Sequence, residues 1–303
     1  MSGTKVALAG ATGNLGPSIL NALLDAGFSV VVLTRKGGNA SKIPSNPNIA
    51  VKEVDYSSVE SLIPALQGVE AVVSTVGSEA LGAQTPLIDA AVAAGVKRFL
   101  PSEFGSNLDN ANTAALPVFG AKVATAKYLE EVAAKNPSFS YTRVYNGAFL
   151  DWCMAVGFII QPKDHSAKLF NGGDRPFSAT TLATIGKATA AIIKNQAQTK
   201  NRAVYIQDVS TTQKKLIAYA KEKDGKDFAT TPVDTETTRQ EGLKALSSGK
   251  APENIGAIMV SFIFSAIFQE GFGGEWSAQN DNELLGLPGL SEPELKKLVQ
   301  SFL

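Results

Sequence analysis

KVALAGATGNLG, residues 5–16, carries a short apolar run directly into three glycines. The run Lys5–Ala9 reads as a strand. The stripe Leu15, Ile19, Ala22, Leu23 and Ala26 that follows reads as a helix stopped by Gly27. Gly10, Gly13 and Gly16 stand at the junction. Gly10 permits a tight turn, Gly13 leaves room for a pyrophosphate to approach the backbone, and Gly16 lets the helix start close against the strand. Unpaired N–H groups at the helix start then face the anion, with Thr12 and Asn14 as extra donors and Leu15 in the same turn. A glycine triplet also serves a tight β–α turn that holds nothing. Its place directly after a first strand favours a dinucleotide.

Outward from this turn, strand-like and amphipathic segments alternate. Ser29–Thr34, Ala50–Val54, Ala71–Val76, Arg98–Leu100 and Ser140–Tyr145 read as further strands, apolar enough to be buried on both faces. Leu87, Ile88, Ala91 and Val92 form a second helical stripe, ended by Gly95. The alternation predicts an α/β fold, a doubly wound parallel Rossmann sheet. After Tyr145 the rhythm changes. Helices near 180–194, 213–223, 237–246, 255–268 and 292–302, with one strand near 203–207, predict a smaller, mostly helical C-terminal region. The expected division is a dinucleotide-binding domain over 1–150 and a substrate region over 151–303, with about 178–210 packing back on the sheet.

Composition narrows the function. Among 303 residues, Lys plus Arg equals Asp plus Glu at 28 each, so charge gives no reason to expect nucleic acid or an anionic membrane. One cysteine, Cys153, and one histidine, His165, provide neither a disulfide framework nor a metal cluster. The longest apolar run, Ile255–Phe268, is shorter than the ~20 residues needed to span a bilayer. A strand beginning near residue 5 leaves no room for a signal peptide, so the expectation is a cytoplasmic monomer or homodimer acting on a small molecule.

The end of the second strand selects the cofactor. An NAD site places an acid there for the ribose 2′-hydroxyl, whereas this chain reads Leu33-Thr34-Arg35-Lys36. A guanidinium at that point suits the 2′-phosphate of NADP(H), although basic pairs usually solvate a loop. Another lysine is placed unusually. In the helix 117–135, Val118, Lys122, Thr125, Leu129 and Val132 share one stripe, while Lys127, Glu131 and Lys135 take the opposite face. Lys122 therefore points inward, where an ammonium is costly unless it reaches a polar cleft. A snorkelling stem at the helix edge is the plainer alternative. Beside a nicotinamide, such an amine serves as general acid or base, with Ser102 and Asn146 completing a polar relay. A Tyr-x-x-x-Lys pair occurs by letter at Tyr219 and Lys223, in a polar helix far past the fifth strand.

GATGNLG, STVG (74–77), QTPLIDAAVAAGVKRFLPSEFG (84–105), FGAKVATAKYL (119–129) and YTRVYNGAFLDW (141–152) together resemble the NmrA-like, isoflavone-reductase-like branch of atypical short-chain dehydrogenases. The GxxGxxG spacing suits that group, and YNGAFLDW resembles its fungal members, the aromatic alcohol reductase-like ones among them. The resemblance implies NADPH, held by the glycine turn and by Arg35 and Lys36, with help from Lys42. It implies that Thr75, Val76, Gly77 and Gln84 line the cofactor cleft, and that Ser102, Phe104 and Asn146 approach the nicotinamide. Lys122 matches the catalytic lysine of the plant reductases. Ala126 stands where plant members tend to carry a basic residue, which separates this chain from their substrates. The implied reaction is hydride transfer to a conjugated or benzylic acceptor in an apolar pocket. Phe149, Trp152, Phe264 and Phe268, with Phe262, Phe272 and Trp276, are the candidates for its wall. The same family contains redox-sensing regulators that bind NADP(H) without turnover, and Lys122 is the feature that favours an enzyme. A sugar-nucleotide epimerase shares the glycine turn but wants Tyr-x-x-x-Lys beyond the fifth strand.

Overall fold

The computed structural model describes residues 3–248 and 253–303. Its main sheet contains β1 (Lys5–Ala9), β2 (Ser29–Arg35), β3 (Ile49–Val54), β4 (Ala71–Ser74), β5 (Arg98–Leu100) and β6 (Ser140–Tyr145). The short β7 (Ala148–Phe149), β8 (Ser166–Phe170) and β9 (Phe177–Thr180) lie outside it, and the seventh strand is β10 (Arg202–Tyr205). The order is β10-β6-β5-β4-β1-β2-β3, and every pairing is parallel. Strand order reverses between β1 and β4. There the crossovers leave in opposite directions, the place where sheets of this kind bind ligands outside the carboxyl ends of their strands.

Alternation along each strand feeds two layers. Val6, Leu8, Val30 and Val32 face one apolar layer, with Ile19 and Leu23 of α1 (Gly16–Asp25). Ala7, Ala9, Val31 and Leu33 face the other, which is covered by α2 (Val59–Leu62), α3 (Gln84–Ala93) and, beyond the short α4 (Ala111–Ala114), α5 (Gly120–Lys135). Burial on both faces accounts for strands that read as unbroken apolar runs. After α6 (Leu150–Ala155) the chain returns to the first layer. Ile185, Ala188 and Ile192 of α7 (Leu182–Lys194) pack there against α1.

Past Tyr145 the pattern predicts helices and a single strand, and the structure adds two small sheets. After α8 (Gln196–Thr199), β11 (Val209–Thr211) joins β9 and β7 in a three-stranded sheet. After α9 (Gln213–Asp224), β12 (Ala229–Val233) pairs in parallel with β8. Of these, β12 gave no sequence signal because it is largely exposed and holds Pro232, which only an edge strand tolerates. The expected helices are α9, α10 (Thr235–Ser247), α11 (Ile255–Phe268) and, after α12 (Asn282–Leu285), α13 (Glu292–Gln300). No helix among the described residues is long and apolar enough to cross a membrane.

One charged residue sits inside the sheet layer. Arg98 on β5 is 1 % exposed and has no carboxylate partner among the described residues. Its guanidinium donates to Ser140 Oγ (2.9 Å), Thr142 Oγ1 (2.8 Å), Thr199 Oγ1 (2.9 Å) and the Gln196 carbonyl (2.7 Å). Burial pulls its pKa down to about 10, still well above neutrality. The cation therefore ties β5 and β6 to α8.

Candidate functional site

The rim at the strand exits is built first from glycine. Gly10 has φ +86°, and a methyl group on it would lie 2.5 Å from the Thr75 carbonyl oxygen. One on Gly16 would lie 2.2 Å from the Gly10 carbonyl oxygen. At Gly13 the nearest protein atom would be 3.4 Å away, an ordinary contact, so nothing within the chain demands glycine there. Thr12, Gly13 and Asn14 are exposed on the rim, whereas Leu15 turns into the core. The α1 start has no capping side chain and no acid in its first turn, which leaves its positive end unneutralised. Gly10→Ala combines a left-handed backbone with a steric clash. It is expected to lower stability by roughly 2–4 kcal/mol in urea denaturation.

The exits of β4 and β5 are fastened to each other. Thr75 Oγ1 donates to the Ala9 carbonyl at 2.9 Å. Ser102 Oγ donates to the Val76 carbonyl at 2.8 Å, and the buried Gln84 side chain accepts the Ser102 N–H at 2.9 Å. Gln84 and Ser102 thus brace the rim, and the Ser102 hydroxyl donates to Val76. Gly77 is exposed beside them. Phe104, at φ +33°, turns its ring into the core layer that holds Leu8, Leu100 and Val144. Asn146 is fully buried; its Nδ2 donates to the Gly147 carbonyl and its Oδ1 has no partner.

Lys122 comes in over this rim from α5. Its helix buries Thr125, Ala126, Leu129 and Ala133 on the same side, with Lys127, Glu131 and Lys135 exposed opposite. The residue is half-buried overall, but its ammonium end is enclosed and donates to the Glu103 carbonyl oxygen. Burial lowers the pKa of this amine, and the charge of Glu103 opposes that shift. Glu103 was not singled out from sequence. The residue is 2 % exposed, and neither carboxyl oxygen has a hydrogen-bond partner among the described residues. Among the described residues, half of the eight unpartnered buried side-chain atoms lie at the exits of β4, β5 and β6, on Ser74, Glu103 and Asn146. Such atoms are costly to leave unpaired, and they cluster on the rim that also holds Lys122.

At the end of β2, Arg35, Lys36 and Lys42 are exposed and form no ion pair among the described residues. Asp25 lies in α1, away from the β2 terminus. Past β6 the aromatics separate into two groups. Phe149, Trp152, Phe158 and Phe264 are half-buried and form a chain with centroid spacings of 6.5, 6.1 and 4.7 Å. Phe158 and Phe170 were missed in the sequence because no helical stripe includes them. Phe268 corrects an expectation. It is 1 % exposed, stacked on Phe170 at 4.9 Å and edge-on to Phe177 at 5.2 Å, so it is core and not pocket wall. Phe262, Phe272 and Trp276 are likewise buried, in a separate cluster around Tyr145.

The Tyr219–Lys223 pair is structural. Tyr219 donates to Glu292 at 2.6 Å and Lys223 to the Gln300 carbonyl at 2.5 Å, joining α9 to the chain's last helix. His165 bonds Asp224, and no group of metal-ligating residues occurs among the described residues. Two surface hollows, about 310 Å³ beside Asp89 and Tyr128 and about 460 Å³ beside Asn171 and Glu236, border neither the glycine turn nor Lys122. The chemistry is concentrated at the strand exits instead.

Sheet order, glycine turn and inward lysine together define a Rossmann-type nucleotide-binding protein. Residues 2–282 match the NmrA-like family, and the chain belongs to it. It is 33 % identical over 292 residues to the oxidoreductase aprR of Aspergillus flavus, covering 94 % of each chain. It is 29 % identical over 280 residues to phenylcoumaran benzylic ether reductase PT1 of Pinus taeda, covering 87 % of each. The structure of AtPrR2 with NADP+ and (+)pinoresinol superposes with a TM-score of 0.78 over all of both chains, at 23 % identity.

Proposed function

We propose that this protein is an NADPH-dependent reductase that delivers hydride to a small conjugated or benzylic, aromatic acceptor, with Lys122 as general acid. The observation that carries the reading is the enclosed Lys122 amine on the rim that also holds the glycine turn. Relatives named oxidoreductase and benzylic ether reductase support it.

The residues present fit the cofactor. The uncapped α1 start and the Gly10–Gly16 turn would hold the pyrophosphate, and Arg35, Lys36 and Lys42 the 2′-phosphate. Thr75, Val76 and Gly77 would line the path toward Asn146. Bound there, NADPH supplies the hydride. Lys122 holds a proton for the oxygen or carbon on which negative charge develops, and the half-buried Phe149–Trp152–Phe158–Phe264 chain offers planar apolar surface to an aromatic acceptor.

Loss of NADPH absorbance against a panel of aromatic ketones, enones, quinones and benzylic ethers tests the reading. Turnover with at least one class is expected. Tight NADPH binding with no oxidation across the panel marks a redox-sensing regulator instead. Arg35→Ser removes a charge-assisted contact to the 2′-phosphate. It is expected to weaken NADPH binding by about 10- to 100-fold and leave NADH binding nearly unchanged, as read by fluorescence titration.

A further inference from the structure

We propose that Glu103 is the positioning residue for the Lys122 proton: its buried carboxyl holds the ammonium in the charged form without itself touching substrate. The proposal rests on the reading of Lys122 as the acid of the site.

Four observations carry it. The Glu103 side chain is nine-tenths or more buried with both oxygens unpartnered, so it does not serve as an ordinary structural bond. The Lys122 ammonium is anchored to the carbonyl of that same residue, and a methyl group built on Gly105 would lie 4.0 Å from Lys122 Nζ. The turn that sets this arrangement is strained. Phe104 sits at φ +33°, and the Glu103 N–H bonds back to the Pro101 carbonyl at 2.7 Å. Backbone strain of this kind persists where the surroundings enforce it, and functional sites are where it collects. Lastly, the carboxyl makes no ion pair within 4.0 Å among the described residues, so it acts on the amine through charge rather than contact.

The groups facing Glu103 are Lys122 from α5, Arg143 and Tyr145 from β6, and Asp109 from the segment after β5. Burial pushes the Glu103 carboxyl pKa up, the Lys122 and Arg143 charges oppose that shift by favouring the carboxylate, and Asp109 adds to it. Among the described residues, Glu103 is the charged group that acts on Lys122. Two interacting sites titrate as a pair, and the second proton leaves at higher pH than it would from the same buried amine without the carboxylate. The ammonium therefore survives to higher pH with Glu103 than without it.

Glu103→Gln keeps the shape and removes the charge. Acylation of the Lys122 amine by acetic anhydride, followed by mass spectrometry across pH on the nucleotide-free protein, reads the proton directly. The midpoint is expected to move about one pH unit or more toward acid, and the alkaline limb of turnover to move with it. Glu103→Asp is expected to retain most of the wild-type midpoint. A Gln variant whose midpoint superimposes on the wild type overturns the proposal, even if its melting temperature falls. Should the Gln variant not fold, the Asp variant decides: a small acid shift supports the proposal, and none overturns it. Lys122→Ala separates the two readings. If that variant keeps full turnover while the Gln midpoint shifts, the lysine is not the acid but the pairing stands. If it loses turnover while the Gln midpoint stays put, the pairing alone fails.

Discussion

Replacing Lys122 by alanine is expected to lower turnover about 100-fold or more while leaving NADPH affinity near that of the parent chain. The separation follows from placement. The amine bonds to the Glu103 carbonyl at the β5 exit, whereas the groups proposed to hold phosphates lie on the glycine turn and at the end of β2. Added methylamine is expected to restore part of the lost rate, because the variant leaves a space of amine size. The parent enzyme should also lose rate as pH rises, since only the ammonium can give a proton. Burial sets that fall below the ordinary lysine value of 10.5. A variant with full rate, or one whose loss lies wholly in NADPH affinity, removes Lys122 from the chemistry.

Arg98→Ala is expected to cost about 3–5 kcal/mol, seen as a lower urea midpoint and a melting temperature lower by roughly 10 °C. Two effects compete. The guanidinium gives four hydrogen bonds, each worth about 1.5–3 kcal/mol for a charged donor. Against that stands the desolvation of a cation with no carboxylate beside it, several kcal/mol. The hydroxyls it meets also keep bonds of their own, Ser140 to the Lys97 carbonyl and Thr142 to the Thr199 carbonyl. The hydrogen-bond balance is thus modest, and the cavity left by alanine tips the sum. Arg98→Met, which fills that volume, is expected to recover about half the loss. A methionine variant no better than alanine would show that the hydrogen bonds, not the packing, dominate.

The first half of the fold was readable because local rules and tertiary environment agree there. Lys5–Ala9 and Arg98–Leu100 match their predicted bounds, since buried parallel strands need apolar runs and glycine-stopped helices between them. The inward direction of Lys122 was readable from helical geometry alone. Phe264 and Phe268 show where periodicity stops. They stand four residues apart on α11, yet Phe264 is half-buried and Phe268 is sealed between Phe170 and Phe177. Spacing along one helix cannot report what neighbouring segments bring against it.

By itself, then, the sequence determined the strand alternation, the glycine turn, the basic end of β2 and the face on which Lys122 lies, because each depends on near neighbours in the chain. The tertiary structure alone decided the burial of Glu103 beside that amine, the four bonds around Arg98, and the pairing of β8 with β12, 60 or so residues apart. Those features arise where distant segments exclude water together, and no local pattern of residues encodes that exclusion.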